Sequence, residues 1–181
     1  RLGTAQDLVN FGTEFGFDVT IAPLLRADSD YISSTSIRRA LAEGDPAIAS
    51  DMLGHWHRIE GEVIHGEKRG RELGFPTANM SVKGLHLPKF GVYAVFATIL
   101  DGPYQGVYQG AASLGIRPMF GENTPNLETY LFDFDGDLYG THISIALVEY
   151  LRGEEKFDGL DALIDQMTLD CDRARKVLAN A

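Results

Sequence analysis

The chain changes its hydrophobic period as it goes, and each change marks a different kind of element. Leu8, Phe11 and Phe15 recur at helical spacing and predict a helix ending near Gly16. Phe17 to Leu25 then reads as a strand. Ser33 or Ser34 is a good N-cap for a helix that ends near Gly44, and a shorter helix is expected from Pro46 to Leu53. From residue 57 onward strands dominate. Glu62 to His65 alternates, Gly91 to Leu100 is strongly β-prone, and Val107 to Leu114 follows a Gly102-Pro103 turn. Leu127 to Phe134 and Ile143 to Leu151 are separated by Asp135-Gly136-Asp137 and Gly140. The helical period returns at the end: Leu160, Leu163, Ile164, Met167, Cys171, Ala174 and Leu178 form one apolar stripe, with Asp158 as the expected cap.

About six short strands with Gly-rich connections predict a small antiparallel barrel, a closure that also removes exposed edges. The fold class is therefore mostly β, a six-stranded antiparallel barrel with a C-terminal helix. Residues 1–54 follow a different pattern, a β-then-α alternation that belongs to an α/β fragment too short for a complete doubly wound sheet. The expected division is 1–54 and 55–181, with a packed hinge near Met52 to Arg58. His55 and His57 flank Trp56 there, but two histidines without a carboxylate or thiolate cluster make a poor metal site.

Composition narrows the classes. A chain of 181 residues with 44% apolar residues suits one domain or one domain plus a fragment of another. A net charge of −10 argues against a nucleic-acid surface, which needs clustered positive charge, yet leaves room for a nucleotide held by a metal and a few local cations. No apolar run approaches membrane-spanning length, so a soluble cytoplasmic protein is expected. Cys171 is the single cysteine and, on the apolar stripe, reads as a packing residue.

Candidate chemistry concentrates in Gly61 to Met80. Gly66, Gly70 and Gly74 are interleaved with Lys68, Arg69 and Arg71, and the segment closes on Phe75-Pro76-Thr77-Ala78-Asn79. Glycines among cations let a backbone approach a polyanion and aim N–H groups at it. The spacing is neither of the common nucleotide fingerprints. Pro76 fixes the backbone, and in an extended segment Thr77 and Asn79 point to the same side, where a hydroxyl and an amide oxygen suit Mg2+. The same residues also suit a Gly-rich hairpin followed by a polar turn. In LETYLFDF a period of two places Glu128 with Tyr130, Phe132 and Phe134 on one face. A carboxylate among aromatics is either a functional site or a wet strand rim. The ISSTSIR segment offers helix N–H groups, hydroxyls and Arg38 to an anion, or simply caps its helix.

Taken in order, GxxxGxxLGFPTAN, GVYAV, GIRPMF, LETYLFDF, GDLYG and YLRGEEKFD resemble the riboflavin kinase module of the bacterial bifunctional riboflavin kinase/FAD synthetase family, over roughly residues 57–178. The resemblance implies a closed Greek-key barrel, with ATP and riboflavin as substrates, FMN as product and Mg2+ as cofactor. It implies Glu128 as catalytic base and Thr77 and Asn79 at the metal. Gly66, Lys68, Arg69, Gly70, Arg71, Gly74, Phe75, Pro76 and Thr77 would bind ATP. Asn79, Glu128, Arg152 and Phe157 would contact the flavin, with Arg173 and Arg175 as weaker candidates. Tyr130 stands where the family pattern suggests His, a departure that removes no required group.

The ISSTSIR segment also resembles the ISSTxxR motif of the family's nucleotidyltransferase half, which places Ser34, Thr35 and Arg38 at ATP phosphates. The HxGH motif that drives adenylyl transfer is missing from this chain. The resemblance thus implies the tail of an adenylyltransferase domain joined to an intact kinase, with FAD synthetase activity and self-association belonging to the full-length protein. The alternatives are a flavin-binding regulatory module that does no chemistry, or a kinase of another small alcohol on the same barrel.

Overall fold

The computed structural model describes residues 3–23, 25–27, 30–66, 70, 73–119 and 122–181. They form two compact units, residues 1–32 and 33–181.

In the first unit, helix α1 (Ala5–Phe15) starts at a capping box in which Thr4 accepts from the Asp7 N–H and the Asp7 carboxylate accepts from the Thr4 N–H. It ends at Gly16 in the left-handed conformation, as expected. The strand expected from Phe17 to Leu25 does not form. Residues 17–23 have no regular structure, and Phe17, Ile21 and Leu25 are exposed. A strand needs a neighbour to satisfy its backbone groups, and the unit's described pairing is confined to β1 (Arg26–Ala27) and β2 (Asp30–Tyr31).

The second unit opens with α2 (Ser34–Glu43), capped by Ser33, whose hydroxyl accepts from the Ser36 N–H. Helix α3 (Pro46–Leu53) carries its proline in the first turn, where no donor is lost. Then come β3 (Arg58–Glu62), β4 (Ala78–Ser81), β5 (Gly91–Ile99), β6 (Gly106–Met119), β7 (Glu122–Leu131) and β8 (His142–Arg152). All pair antiparallel in the order β3-β8-β5-β6-β7-β4. Strands β5, β6 and β7 are consecutive neighbours and β8 returns beside β5, which is a Greek key. The two ends meet where the Ile64 N–H donates to the Asn79 carbonyl at 2.8 Å, nearly closing the barrel. Gly61 lies at this seam, where any Cβ would stand 2.7 Å from the Met80 sulfur.

Alternation divides the strands between two cores. Ile59, Met80, Val95, Leu114, Leu127 and Ile145 fill the barrel. Ala94, Ala111, Phe132, Val148 and Leu151 lie on its outer face and are covered by Ala174 and Leu178 of helix α4 (Leu160–Leu178). Two boundaries differ from expectation. Strand β7 stops at Leu131, because Asp133 takes φ 56° and turns the chain, so Phe134 leaves the Glu128 face and packs against the interior cluster. Gly159, not Asp158, occupies the α4 N-cap, and Leu160 is exposed. The other end of α4 is pinned. Arg175 makes two hydrogen bonds of 2.8 and 2.9 Å to Asp133 and lies 4.3 Å from the Phe132 ring centroid. Among the described residues no helix is long and apolar enough to cross a membrane.

Candidate functional site

A cavity of about 450 Å³ opens on the outer face of the barrel, between the sheet and α4. Its floor is one row of residues that face each other strand to strand. Asn79 on β4 pairs with Glu128 on β7, Glu128 with Ser113 on β6, Ser113 with Val92 on β5, and Val92 with Arg152 on β8. All five line the cavity. Residues opposite one another in such ladders have Cβ atoms about 5 Å apart and point the same way. A register shift between Val92 and Tyr93 is what brings Arg152 into the row. Glu128 reaches the cavity because its neighbours Leu127 and Thr129, both fully buried, occupy the other face. Tyr130, two residues on, lines the cavity beside it.

At one end the cavity meets the Gly61 to Met80 segment. Gly66, Gly70, Phe75, Thr77 and Asn79 all line it. The Phe75 N–H donates to the Gly70 carbonyl at 2.8 Å, and a Cβ on Gly70 would stand 2.4 Å from the Phe75 oxygen, so only glycine permits this turn. Phe75 meets Tyr130 edge-on with ring centroids 5.4 Å apart. Gly74 and Pro76 are exposed and do not line the cavity. Lys68, Arg69 and Arg71 lie outside the described residues.

Thr77 and Asn79, the expected metal ligands, stand together at this end of the cavity. Asn79 is buried, and its Nδ2 lies 3.4 Å from the Thr77 hydroxyl, so the two side chains touch. A Cβ on Gly66 would come within 2.6 Å of the Asn79 amide, so glycine leaves the approach open. A hydroxyl and a carboxamide beside a carboxylate strand are donor types that suit magnesium, which takes few protein oxygens and completes its shell with water and phosphate, although here the Asn79 nitrogen and not its oxygen faces Thr77. Among the described residues no cluster of three His, Cys, Asp or Glu side chains suits a metal, the His55/His57 region included. Burial holds the His57 pKa below its ordinary value, with His86 and His55 adding to the effect.

At the other end Arg152 is held by Asp170 of α4, with contacts of 2.7 to 3.0 Å, while Gln166 donates to the same carboxylate at 2.9 Å. The Arg152 guanidinium carbon lies 5.6 Å from the Phe157 ring centroid. Leu163, Met167 and Cys171 form the helix wall, and burial raises the Cys171 thiol to about 11. Arg173 does not line the cavity. It donates to the Leu151 carbonyl at 2.7 Å and to Glu149 at 3.1 Å, clamping α4 to β8. Arg175 clamps the same helix to Asp133. Ser34, Thr35 and Arg38 cluster at the exposed start of α2, with Arg38 donating to the Ser34 hydroxyl at 3.2 Å, away from the cavity.

Among the lining residues that the sequence does not single out are Val92, Ser113, Asn126 and Asp170. Asp170 continues the 163, 167, 174, 178 spacing, so an acid there was a readable irregularity in the apolar stripe. Asn126 stands two residues before Glu128 and therefore on its face.

Known proteins bear on the same segment. A family model described as riboflavin kinase matches residues 53–178. The bifunctional riboflavin kinase/FMN adenylyltransferase of Pseudomonas fluorescens is 38% identical over 180 residues, 99% of this chain and 57% of that protein. The protein of the same description from Escherichia coli K12 is 40% identical over 171 residues, 94% of this chain and 53% of that protein. The chain thus spans about half the length of the curated relatives it matches. A crystal structure described as a macrolide-efflux protein from Streptococcus pneumoniae superposes with TM-score 0.80 at 34% identity, over 99% of this chain and 56% of that one.

Proposed function

The chain belongs to the riboflavin kinase family, and on that premise we propose that it transfers the γ-phosphoryl group of ATP to the 5′-hydroxyl of riboflavin, giving FMN and ADP. The observation that carries this reading is the continuous row from Asn79 through Glu128 to Arg152 along one cavity. A phosphoryl donor enters at the Gly66 and Thr77 end and the flavin at the Arg152, Phe157 and α4 end. The hydroxyl to be phosphorylated then meets the γ-phosphorus beside Glu128.

An alcohol is a weak nucleophile, and a positioned carboxylate is worth about 10²- to 10⁴-fold in rate. Glu128 orients the 5′-hydroxyl and takes its proton as the new O–P bond forms and the bond between the γ-phosphorus and the β,γ-bridging oxygen breaks, leaving ADP. Gly66, Gly70, Gly74 and Phe75 shape the phosphate cradle, and Pro76 sets the backbone before Thr77. Lys68, Arg69 and Arg71 complete it as cations. Thr77 and Asn79 are the residues that would hold Mg2+, which when bound offsets the charge developing on phosphate oxygens. Arg152 and Phe157 anchor the flavin against Leu163 and Met167, whose apolar surface keeps water from the reacting atoms. Arg173 supports that wall from behind.

For residues 1–54 we propose the tail of an adenylyltransferase domain, with Ser34, Thr35 and Arg38 as its phosphate motif, and for residues 55–181 the kinase. The relatives' bifunctional description and greater length support this division. FAD synthesis and self-association then belong to the longer cytoplasmic protein, and this chain alone makes FMN.

The test incubates the chain with ATP, Mg2+ and riboflavin, separates flavins by chromatography, and repeats the assay with Glu128→Gln. FMN without FAD, reduced about 10²-fold or more in the variant while riboflavin binding persists, is the expected result. Riboflavin bound with no FMN formed would instead make the protein a flavin-binding module.

A further inference from the structure

We infer that Asn126 sets which way the Asn79 carboxamide is turned, and so whether the cation site is formed; the inference rests on the reading of Thr77 and Asn79 given above. Asn126 is 1% exposed and lines the cavity. Its Nδ2 donates to Asn79 Oδ1 at 2.9 Å, while its own Oδ1 has no hydrogen-bond partner. On the far side, Asn79 Nδ2 donates to Thr77, to the carbonyl at 3.3 Å and to the hydroxyl at 3.4 Å. Both distances exceed the usual 2.9–3.0 Å, so little holds the nitrogen there. The Asn79 oxygen therefore faces Asn126 and its nitrogen faces Thr77. The two oxygens that a cation would share do not face one another.

Carboxamide oxygen and nitrogen are nearly equal in size, and a half-turn about the last side-chain bond exchanges them without displacing neighbours. After that half-turn Asn79 Oδ1 stands beside the Thr77 hydroxyl, and Nδ2 faces Asn126. Asn126 must then present an acceptor, and its unused Oδ1 is one. Turning in concert, it keeps a single amide–amide hydrogen bond and one unpaired atom in both states. The two long contacts to Thr77 are given up, and Oδ1 then stands near the Thr77 carbonyl oxygen, an acceptor–acceptor contact that a bound cation offsets. The states are close in hydrogen bonding, and only one offers a cation two oxygens, so the cation selects it. Asn126 is a positioning residue that serves as donor to Asn79 in one state and acceptor in the other.

The probe is Mn2+ with ADP, followed by water-proton relaxation enhancement, which needs no turnover. Asn126→Leu, which can neither donate nor accept, is expected to weaken the ternary complex about tenfold while riboflavin binding stays within twofold. Loss of thermal stability with unchanged Mn2+–ADP binding would reduce Asn126 to a structural residue and overturn the inference. Asn79→Ala separates the two levels. Unchanged Mn2+–ADP binding in that variant sinks the cation-site reading itself, whereas its loss there but not in Asn126→Leu sinks the inference alone. If Asn126→Leu does not fold, side-chain amide NMR of the unaltered protein decides. The nuclear Overhauser contact from the Asn79 amide protons to the Thr77 methyl should disappear on adding Mg2+–ADP, and its persistence in the bound state overturns the proposal.

Discussion

Arg152, the last residue of β8, and Asp170, in the middle of α4, meet as a two-pronged ion pair with Nε 2.9 Å and Nη2 2.7 Å from the same carboxylate oxygen. The pair is largely out of water, at 17% and 8% side-chain exposure, and couples the barrel to the helix that roofs the cavity.

Removing the Asp170 charge leaves a guanidinium half-buried without its partner, which typically costs about 3–5 kcal/mol. Asp170→Asn should therefore lower stability by roughly 3 kcal/mol in urea denaturation. It should also weaken riboflavin binding, read by quenching of flavin fluorescence, because Arg152 no longer has a fixed direction toward Phe157. A variant with wild-type stability and flavin affinity would show that the pair only decorates the cavity.

Gly66→Ala would drive a methyl group to 2.6 Å from the Asn79 amide. The atoms it meets are the end of the Asn79 side chain, which can yield only by turning away from Thr77 into the cavity it lines. The expected outcome is a raised Mg2+ requirement, about tenfold for a loss near 1.4 kcal/mol, with thermal stability little changed. An unaltered Mg2+ titration curve would speak against Asn79 as a ligand.

With its thiol raised to about 11, Cys171 carries little thiolate at neutral pH. Alkylation by iodoacetamide at about pH 8 should be roughly a hundredfold slower than for a free cysteine, since the thiolate is the reactive form. Because the residue lines the cavity, riboflavin should slow it further. Fast labelling insensitive to riboflavin, followed by mass spectrometry, would contradict both the burial and the location.

Burial keeps His57 neutral in the folded protein, and its pKa falls below the ordinary 6.5. The unfolded chain therefore binds the proton more readily. The stability involved is fully present above 6.5 and is lost as the pH falls through the window down to the folded value. His57→Gln should flatten the decline of the melting temperature between about pH 7 and pH 5. An equal slope in both proteins would place the acid sensitivity elsewhere.

Local signals were legible where a single element satisfies itself. Ser33, Gly44, Pro46 and Gly54 mark the ends of α2 and α3 because caps act within a few residues. Glu128 stood out because period two is a property of one strand. What depended on partners was hidden. Phe17 to Leu25 is apolar enough for a strand, yet the described residues place no ladder beside it. Asp170 breaks the apolar stripe of its helix, but what it holds is hidden until Arg152, at the end of the preceding strand, folds back against it. Asn126 looks like turn composition beside Pro125, and only pairing with β4 sets it against Asn79.

The barrel's seam and the cavity share a residue: the Asn79 carbonyl receives the closing hydrogen bond from Ile64, and its side chain faces Thr77. A chain whose sheet has formed but whose ends have not met keeps Asn79 beside Glu128 on the β4–β7 ladder but does not hold Gly66 against the Asn79 amide. In the proposed mechanism such a chain lacks the Gly66 side of the phosphate cradle. Kinase activity during unfolding should then disappear with the seam, ahead of the central strands.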